Sequence, residues 1–123
     1  MYELQKTFHF EAGHFLKSYE GKCASPHGHS YSCIVHLQGK TLDTSGPKTN
    51  MITDFNDIVA VVRPMIEKYF DHKWLNETLE NDSVTVEFMA KWIYDFLKPH
   101  LVHLKAITVQ ETATSKVIYS PES

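Results

Sequence analysis

The first ten residues alternate so regularly that they dictate the start of the fold. Tyr2, Leu4, Phe8 and Phe10 share one parity, while Glu3, Gln5, Thr7 and His9 share the other. Successive side chains of a strand point to opposite faces, so this pattern predicts a half-buried β-strand. Carried forward in the same phase, it brings Ala12 and His14 to the apolar side. A second alternation begins at His29 and runs to about Gln38, with His29, Tyr31, Cys33, Val35 and Leu37 in phase. The broken, polar stretch from Leu16 to Pro26 joins the two strands as a loop.

A hairpin connection is expected over Gly39 to Asn50, then a short strand near Met51-Ile52. Asp54 offers an N-cap to a first helix, whose apolar stripe is Ile58, Val61, Val62, Met65, Ile66 and Tyr69. Pro64 lies inside that stripe and predicts a kink or interruption. Asn81, Asp82, Ser83 or Thr85 caps a second helix carrying Met89, Trp92, Ile93, Phe96 and Leu97, ended by Pro99. Strands follow over Leu104 to Thr112 and Val117 to Tyr119. Strands segregated from helices and linked by hairpins define an α+β class, with an antiparallel sheet and helices on one face.

A chain of 123 residues is one domain, 1–123, able to bury a single core. Its net charge of -3 and single arginine, Arg63, argue against a nucleic-acid partner. No apolar run is long enough to span a bilayer, and Met1-Tyr2-Glu3 leads straight into strand sequence. No signal peptide, no membrane partner and a cytoplasmic location are therefore expected. In such a reducing compartment Cys23 and Cys33 are not expected to pair. Cys33 has the parity of a buried strand residue, whereas Cys23 sits in the polar loop.

The chemistry concentrates in Cys23-Ala-Ser-Pro-His27-Gly-His29. His27 and His29, two apart on extended chain, point the same way, and Gly28 lets the backbone bend near an ion. His14 is the best third donor. Three neutral imidazoles suit zinc and leave one coordination position open for water or substrate. Cys23, near such a cation, is either an activated thiolate or a fourth ligand that closes a structural site. Asp71-His72 follows the first helix and is either a carboxylate that orients an imidazole for acid–base work or a pair of solvated loop residues. Glu111, in phase with Ile107 and Val109, either accepts two N–H donors from a guanidine-like edge or lies where the strand frays into solvent. His9, His36, His100 and His103 are expected to be surface or hydrogen-bonded residues without a catalytic part.

Taken together, Phe10-x-Ala12-x-His14, Cys23-x-x-x-His27-Gly-His29-Ser-Tyr31, Thr53-Asp54-Phe55, Phe70-Asp71-His72-x-x-Leu75-Asn76, Thr85-x-Glu87 and Val109-x-Glu111-Thr112 resemble the 6-pyruvoyltetrahydropterin synthase / 6-carboxytetrahydropterin synthase family. The motifs stand in the family's order and cover nearly the whole chain. The resemblance implies a tunnelling fold (T-fold), an antiparallel four-stranded sheet with two helices on one face, assembled as a homohexamer of two trimers. It implies Zn2+ on His14, His27 and His29, Cys23 as general base and Asp71 with His72 as the acid–base partner. It also implies a pterin anchored by Glu111, with Thr112 and Thr85 in the substrate site.

The three-residue gap between Cys23 and His27 resembles the carboxy branch. That branch converts 7,8-dihydroneopterin triphosphate to 6-carboxytetrahydropterin, acetaldehyde and triphosphate for queuosine (7-deazapurine) synthesis. The alternatives are a 6-pyruvoyltetrahydropterin synthase and a non-catalytic zinc-binding assembly protein. Val84-Thr85-Val86-Glu87-Phe88 departs from the family's usual Pro-Thr-x-Glu-Asn.

Overall fold

The computed structural model describes residues 1–17 and 27–121. Strand β1 (Tyr2–His14) pairs antiparallel with β2 (His27–Gly39) along its whole length, from Tyr2 opposite Gly39 to His14 opposite His27. The alternation seen in the sequence becomes two faces. Phe8, Phe10, Ala12 and His14 turn inward, as do Tyr31, Cys33, Val35 and Leu37 across the ladder.

After β2 the chain makes a loop rather than the expected strand near Met51-Ile52. Asp43 N donates to Met51 O (3.0 Å) and Asn50 N to Asp43 O (2.8 Å), with Asn50 at a positive φ of 68°. These bonds close the segment on itself and leave nothing to pair with a sheet. Helix α1 (Phe55–Tyr69) then starts on Asp54, whose carboxylate accepts from Asn56 N at 2.8 Å. It buries Ile58, Val62, Met65 and Ile66 against the sheet. Pro64 does not interrupt it. The proline occupies the exposed side of the helix, where water can satisfy the carbonyl left without a donor.

The chain next returns to β1. Glu11 N donates to Asp71 Oδ1 (3.0 Å) and His72 N donates to Glu11 O. Lys73 and Trp74 continue as β3 (Lys73–Trp74), parallel to Ala12 and Gly13. The sheet therefore has five strands rather than the expected four, the fifth being a two-residue parallel edge. Helix α2 (Leu75–Thr78) is a single turn that buries Leu75. Of the candidate caps for helix α3 (Val86–Leu97), Thr85 takes the position, its hydroxyl accepting from Phe88 N at 3.1 Å. A 3-10 turn over Lys98–His100, containing Pro99, ends that helix.

Strand β4 (Leu104–Thr112) pairs with β2, and β5 (Ser115–Tyr119) pairs with β4, both antiparallel. The order across the sheet is β3-β1-β2-β4-β5. Helices α1 and α3 cover one face, where Met89, Ile93 and Leu97 meet Ile107 and Val109 in the core. Phe10 stacks on Tyr31 with centroids 5.2 Å apart. Cys33 is wholly buried there, and burial pushes its thiol up to about 12, so it is inert.

The helix-free face is polar and cross-linked. His9 and Ser32 hydrogen-bond across β1 and β2 at 3.0 Å. His36 bonds Thr108 Oγ1 at 2.6 Å and Glu3 at 3.2 Å. These imidazoles are hydrogen-bonded residues of the sheet, as expected for them. No helix among the described residues is long and apolar enough to cross a membrane.

Candidate metal centre and active site

The register of two strands assembles three imidazoles. His14 ends β1 in phase with Phe8 and Phe10, so the force that buries those rings also buries His14, which is 1% exposed. His27 opens β2 directly opposite His14, and His29 lies two residues further on, opposite Ala12. One potential ligand nitrogen from each ring lies within 4.8 Å of the others. His14 Nε2 and His27 Nε2 are 3.0 Å apart. Two nitrogens bound to a tetrahedral zinc at ordinary Zn–N distances sit about 3.3 Å apart, so this pair is already near ligand spacing.

Hydrogen bonding fixes the tautomer of the deepest ring. His14 Nδ1 lies 2.7 Å from Val84 O. A carbonyl only accepts, so Nδ1 carries the proton and Nε2 presents its lone pair toward the other two rings. Burial, reinforced by the neighbouring imidazoles, pushes the His14 pKa below its ordinary value and keeps the ring neutral.

His29 Nε2 is buried without a hydrogen-bond partner among the described residues. Glu111 Oε1 comes within 3.2 Å of it, but not along a hydrogen-bond direction. A buried imidazole nitrogen without a hydrogen-bond partner, beside two other ring nitrogens, fits a divalent cation that takes nitrogen donors. Glu111 is half-buried at the end of β4 rather than frayed into solvent.

The two glycines at the site have different reasons to be there. At Gly28 an added Cβ would meet only Ala12 O, at 3.5 Å, an ordinary contact. Gly13, opposite it, is the crowded one. A Cβ there would lie 3.0 Å from the Trp74 ring and 3.3 Å from His27 O.

Asp71 and His72 arrive through β3. Asp71 Oδ1 lies 3.1 Å from His72 Nδ1. The Glu11 backbone N–H, and then the His72 contact, hold the Asp71 carboxyl below the usual carboxylate range. His72 has a positive φ of 58° and is largely exposed, with its backbone N–H tied to Glu11. His72 and His29 line the same open cleft of about 540 Å3, together with Gly13, Gly28, Glu11 and Ser30. One imidazole of the triad, His29, and His72 thus border one cleft, while Asp71 faces a neighbouring one.

Thr112 is exposed at the end of β4 and lines a shallow cleft with Glu111, Ser30 and Ser32. Thr85 spends its hydroxyl oxygen on the α3 cap, one residue from the carbonyl that holds His14. Cys23 lies outside the described residues. Sequence reasoning missed the Val84 carbonyl, because a backbone acceptor leaves no residue-type signal. It also gave no role to Glu11, which lies on the opposite row from His14 and meets Asp71 and His72 through its backbone groups.

A sheet antiparallel but for its two-residue β3 edge, with two helices on one face and a histidine cluster at its end, defines a T-fold protein of pterin-synthase type. The chain belongs to the 6-pyruvoyl tetrahydropterin synthase family, which it matches over residues 3–122. It is 38% identical over 120 residues to the 6-carboxy-5,6,7,8-tetrahydropterin synthase of Synechocystis sp., covering 97% of this chain and 93% of that relative. The protein of the same name from Haemophilus influenzae is 30% identical over 136 residues, covering 94% and 96%. In structure, the 6-pyruvoyl tetrahydropterin synthase of Caenorhabditis elegans superposes with a TM-score of 0.85 at 24% identity, covering 98% of this chain and 96% of that one. The family resemblance and the T-fold class expected from the motifs are both borne out, and membership supports a pterin-synthase activity.

Proposed function

We propose that the chain is a zinc-dependent 6-carboxy-5,6,7,8-tetrahydropterin synthase, a lyase acting on 7,8-dihydroneopterin triphosphate. The observation that carries this reading is the convergence of His14, His27 and His29, with the His14 tautomer locked by Val84 and His29 Nε2 left without a hydrogen-bond partner among the described residues. The names of the Synechocystis and Haemophilus relatives support the substrate class.

His14, His27 and His29 would hold the ion, which would supply Lewis acidity next to the hydroxyls of the substrate side chain. Cys23 takes a side-chain proton as thiolate. The imidazole of His72, oriented by Asp71, returns a proton at the ring. Glu111 accepts the N–H donors of the pterin edge, with Thr112 and Thr85 beside the substrate, and its 3.2 Å approach to His29 keeps that anchor close to the reacting side chain.

Loss of triphosphate and hydrolytic carbon–carbon cleavage, in which one water supplies the second carboxylate oxygen, then release acetaldehyde and 6-carboxytetrahydropterin, a precursor for queuosine synthesis. We place this activity in the cytoplasm and in a homohexamer. The outer edge of β1, which pairs with β3 only at Ala12 and Gly13, supports assembly through sheet edges.

The test is incubation of zinc-loaded protein with 7,8-dihydroneopterin triphosphate. Acetaldehyde release supports the proposal, whereas an intact pyruvoyl side chain assigns the 6-pyruvoyl reaction instead. Cys23→Ala is expected to retain zinc and the fold while losing turnover. Loss of the metal in that variant would mean a closed structural site and would sink the catalytic reading.

A further inference from the structure

Asn76 ends the motif Asp71-His72-x-x-Leu75-Asn76, yet nothing in the chemistry above uses it. Its side chain is half-buried on α2 and makes three hydrogen bonds. Oδ1 accepts from Phe15 N at 2.8 Å. Nδ2 donates to Phe15 O at 2.9 Å and to Asn81 O at 3.0 Å. Both protons of the amide are therefore engaged, and both backbone groups of Phe15 are held by one planar group.

The two segments it joins are the two that fix His14. Phe15 is the residue that follows His14, so gripping its N–H and C=O sets the backbone from which the imidazole projects. Asn81 begins the turn that leads to Val84, whose carbonyl receives the His14 Nδ1 proton at 2.7 Å. That turn is tied back at several points. Asn81 N donates to Asn76 O at 3.1 Å, and Asn81 Oδ1 accepts from Ser83 N at 2.9 Å. Lys17 N donates to Asp82 O at 3.1 Å, and Leu16 bridges to Ser83. Among the described residues outside the two strips, Asn76 is the one side chain that bonds to both.

We infer that Asn76 is a positioning residue for the metal centre, an amide clamp that fixes the His14 ring by holding both its own backbone and the carbonyl to which it donates. This inference rests on the metal-centre reading above. Chemistry explains the residue type. Aspartate has the same shape but no donors, and it would set an oxygen against two carbonyls. Glutamine is one methylene longer and cannot close the same three bonds from a fixed α2 backbone.

The experiment compares Asn76→Ala and Asn76→Asp with the wild-type chain. Zinc affinity is read by competition with a chromophoric chelator, and the ligand field by the visible bands of the cobalt(II)-substituted protein. Removing a group that orients a metal-bound histidine typically weakens metal binding 10- to 100-fold, and a loss in that range is expected for both variants, with altered cobalt bands. Asn76→Asp keeps the size and one of the bonds, and carries the test if Asn76→Ala does not fold.

Val62→Ala, in the wholly buried core on α1, controls for lost stability. It lowers the melting temperature and should leave zinc affinity unchanged. If wild-type protein binds zinc and the Asn76 variants bind it within twofold as tightly, the clamp is merely structural and the inference falls alone. If the wild-type chain binds no zinc, the metal reading falls and takes the inference with it.

Discussion

The paired glycines at the mouth of the site make opposite predictions for the same substitution. In Gly13→Ala the new methyl would sit 3.0 Å from Trp74 Cε3 and Cζ3, and 3.3 Å from the His27 carbonyl oxygen. Carbon contacts are optimal at about 3.5–4.0 Å, so something must move by roughly 0.5–1 Å. The His27 carbonyl belongs to β2, which leaves Trp74 to give way. That ring is stacked on Phe15, centroids 5.8 Å apart, and follows Lys73 in β3.

Overpacking of this kind costs about 1–3 kcal/mol. Restricting the unfolded chain by replacing glycine returns about 0.4–1 kcal/mol. The net is a loss of roughly 1–2 kcal/mol, or a fall in melting temperature of about 3–10 °C for a chain of this length. Gly28→Ala meets only Ala12 O, at 3.5 Å, and its φ is not in the left-handed range. It is expected to leave the melting temperature unchanged or raise it by a few degrees. Thermal unfolding followed by circular dichroism reads both variants, and tryptophan emission reports displacement of Trp74. A Gly13→Ala protein as stable as the wild type, or a Gly28→Ala protein that is the weaker of the two, would refute the steric reasoning.

Two further outcomes follow from the same geometry. Because burial lowers the His14 pKa, the unfolded chain takes up its proton at a higher pH than the folded, metal-free protein does. Stability linked to His14 is therefore present above the ordinary histidine pKa, about 6.5, and is lost as pH falls below it. Urea midpoints of chelator-treated protein between pH 8 and 5 should fall more steeply for the wild type than for His14→Gln, and parallel curves would contradict this. Thr85→Ala removes the α3 cap and is expected to cost about 0.5–2 kcal/mol in chemical denaturation; no change in the midpoint would show that the cap bond contributes nothing.

Much of the architecture was legible because it rests on periodicity. Phe8, Phe10, Tyr31 and Cys33 alternate over long strands, and Met89, Ile93 and Leu97 recur at helical spacing, so burial follows directly from pattern. His14 and Glu111 were legible for the same reason, being in phase with apolar neighbours. Strand β3 was not, since two residues have no period and their placement depends on backbone bonds to Glu11. Pro64 misled because it falls within the stripe's span of sequence yet off its face, on the exposed side, where a missing N–H is tolerated. The short strand near Met51 failed for a different reason, as Asp43 and Asn50 close that loop locally. The carbonyl of Val84 and the clamp of Asn76 join segments distant in sequence through backbone groups, where residue type says little.

The phase of β1 carries a consequence for how this site can change. A slip of one residue against β2 would turn His14 away from its partners and at the same stroke expose Phe8 and Phe10. Loss of the ligand set by strand slippage is thus guarded by the same hydrophobic penalty that guards the core. The side chains of His9 and Glu11, on the opposite row of that strand, are held by single cross-strand bonds to Ser32 and Ser30, so variation there can reshape the sheet's open face without turning the three imidazoles apart.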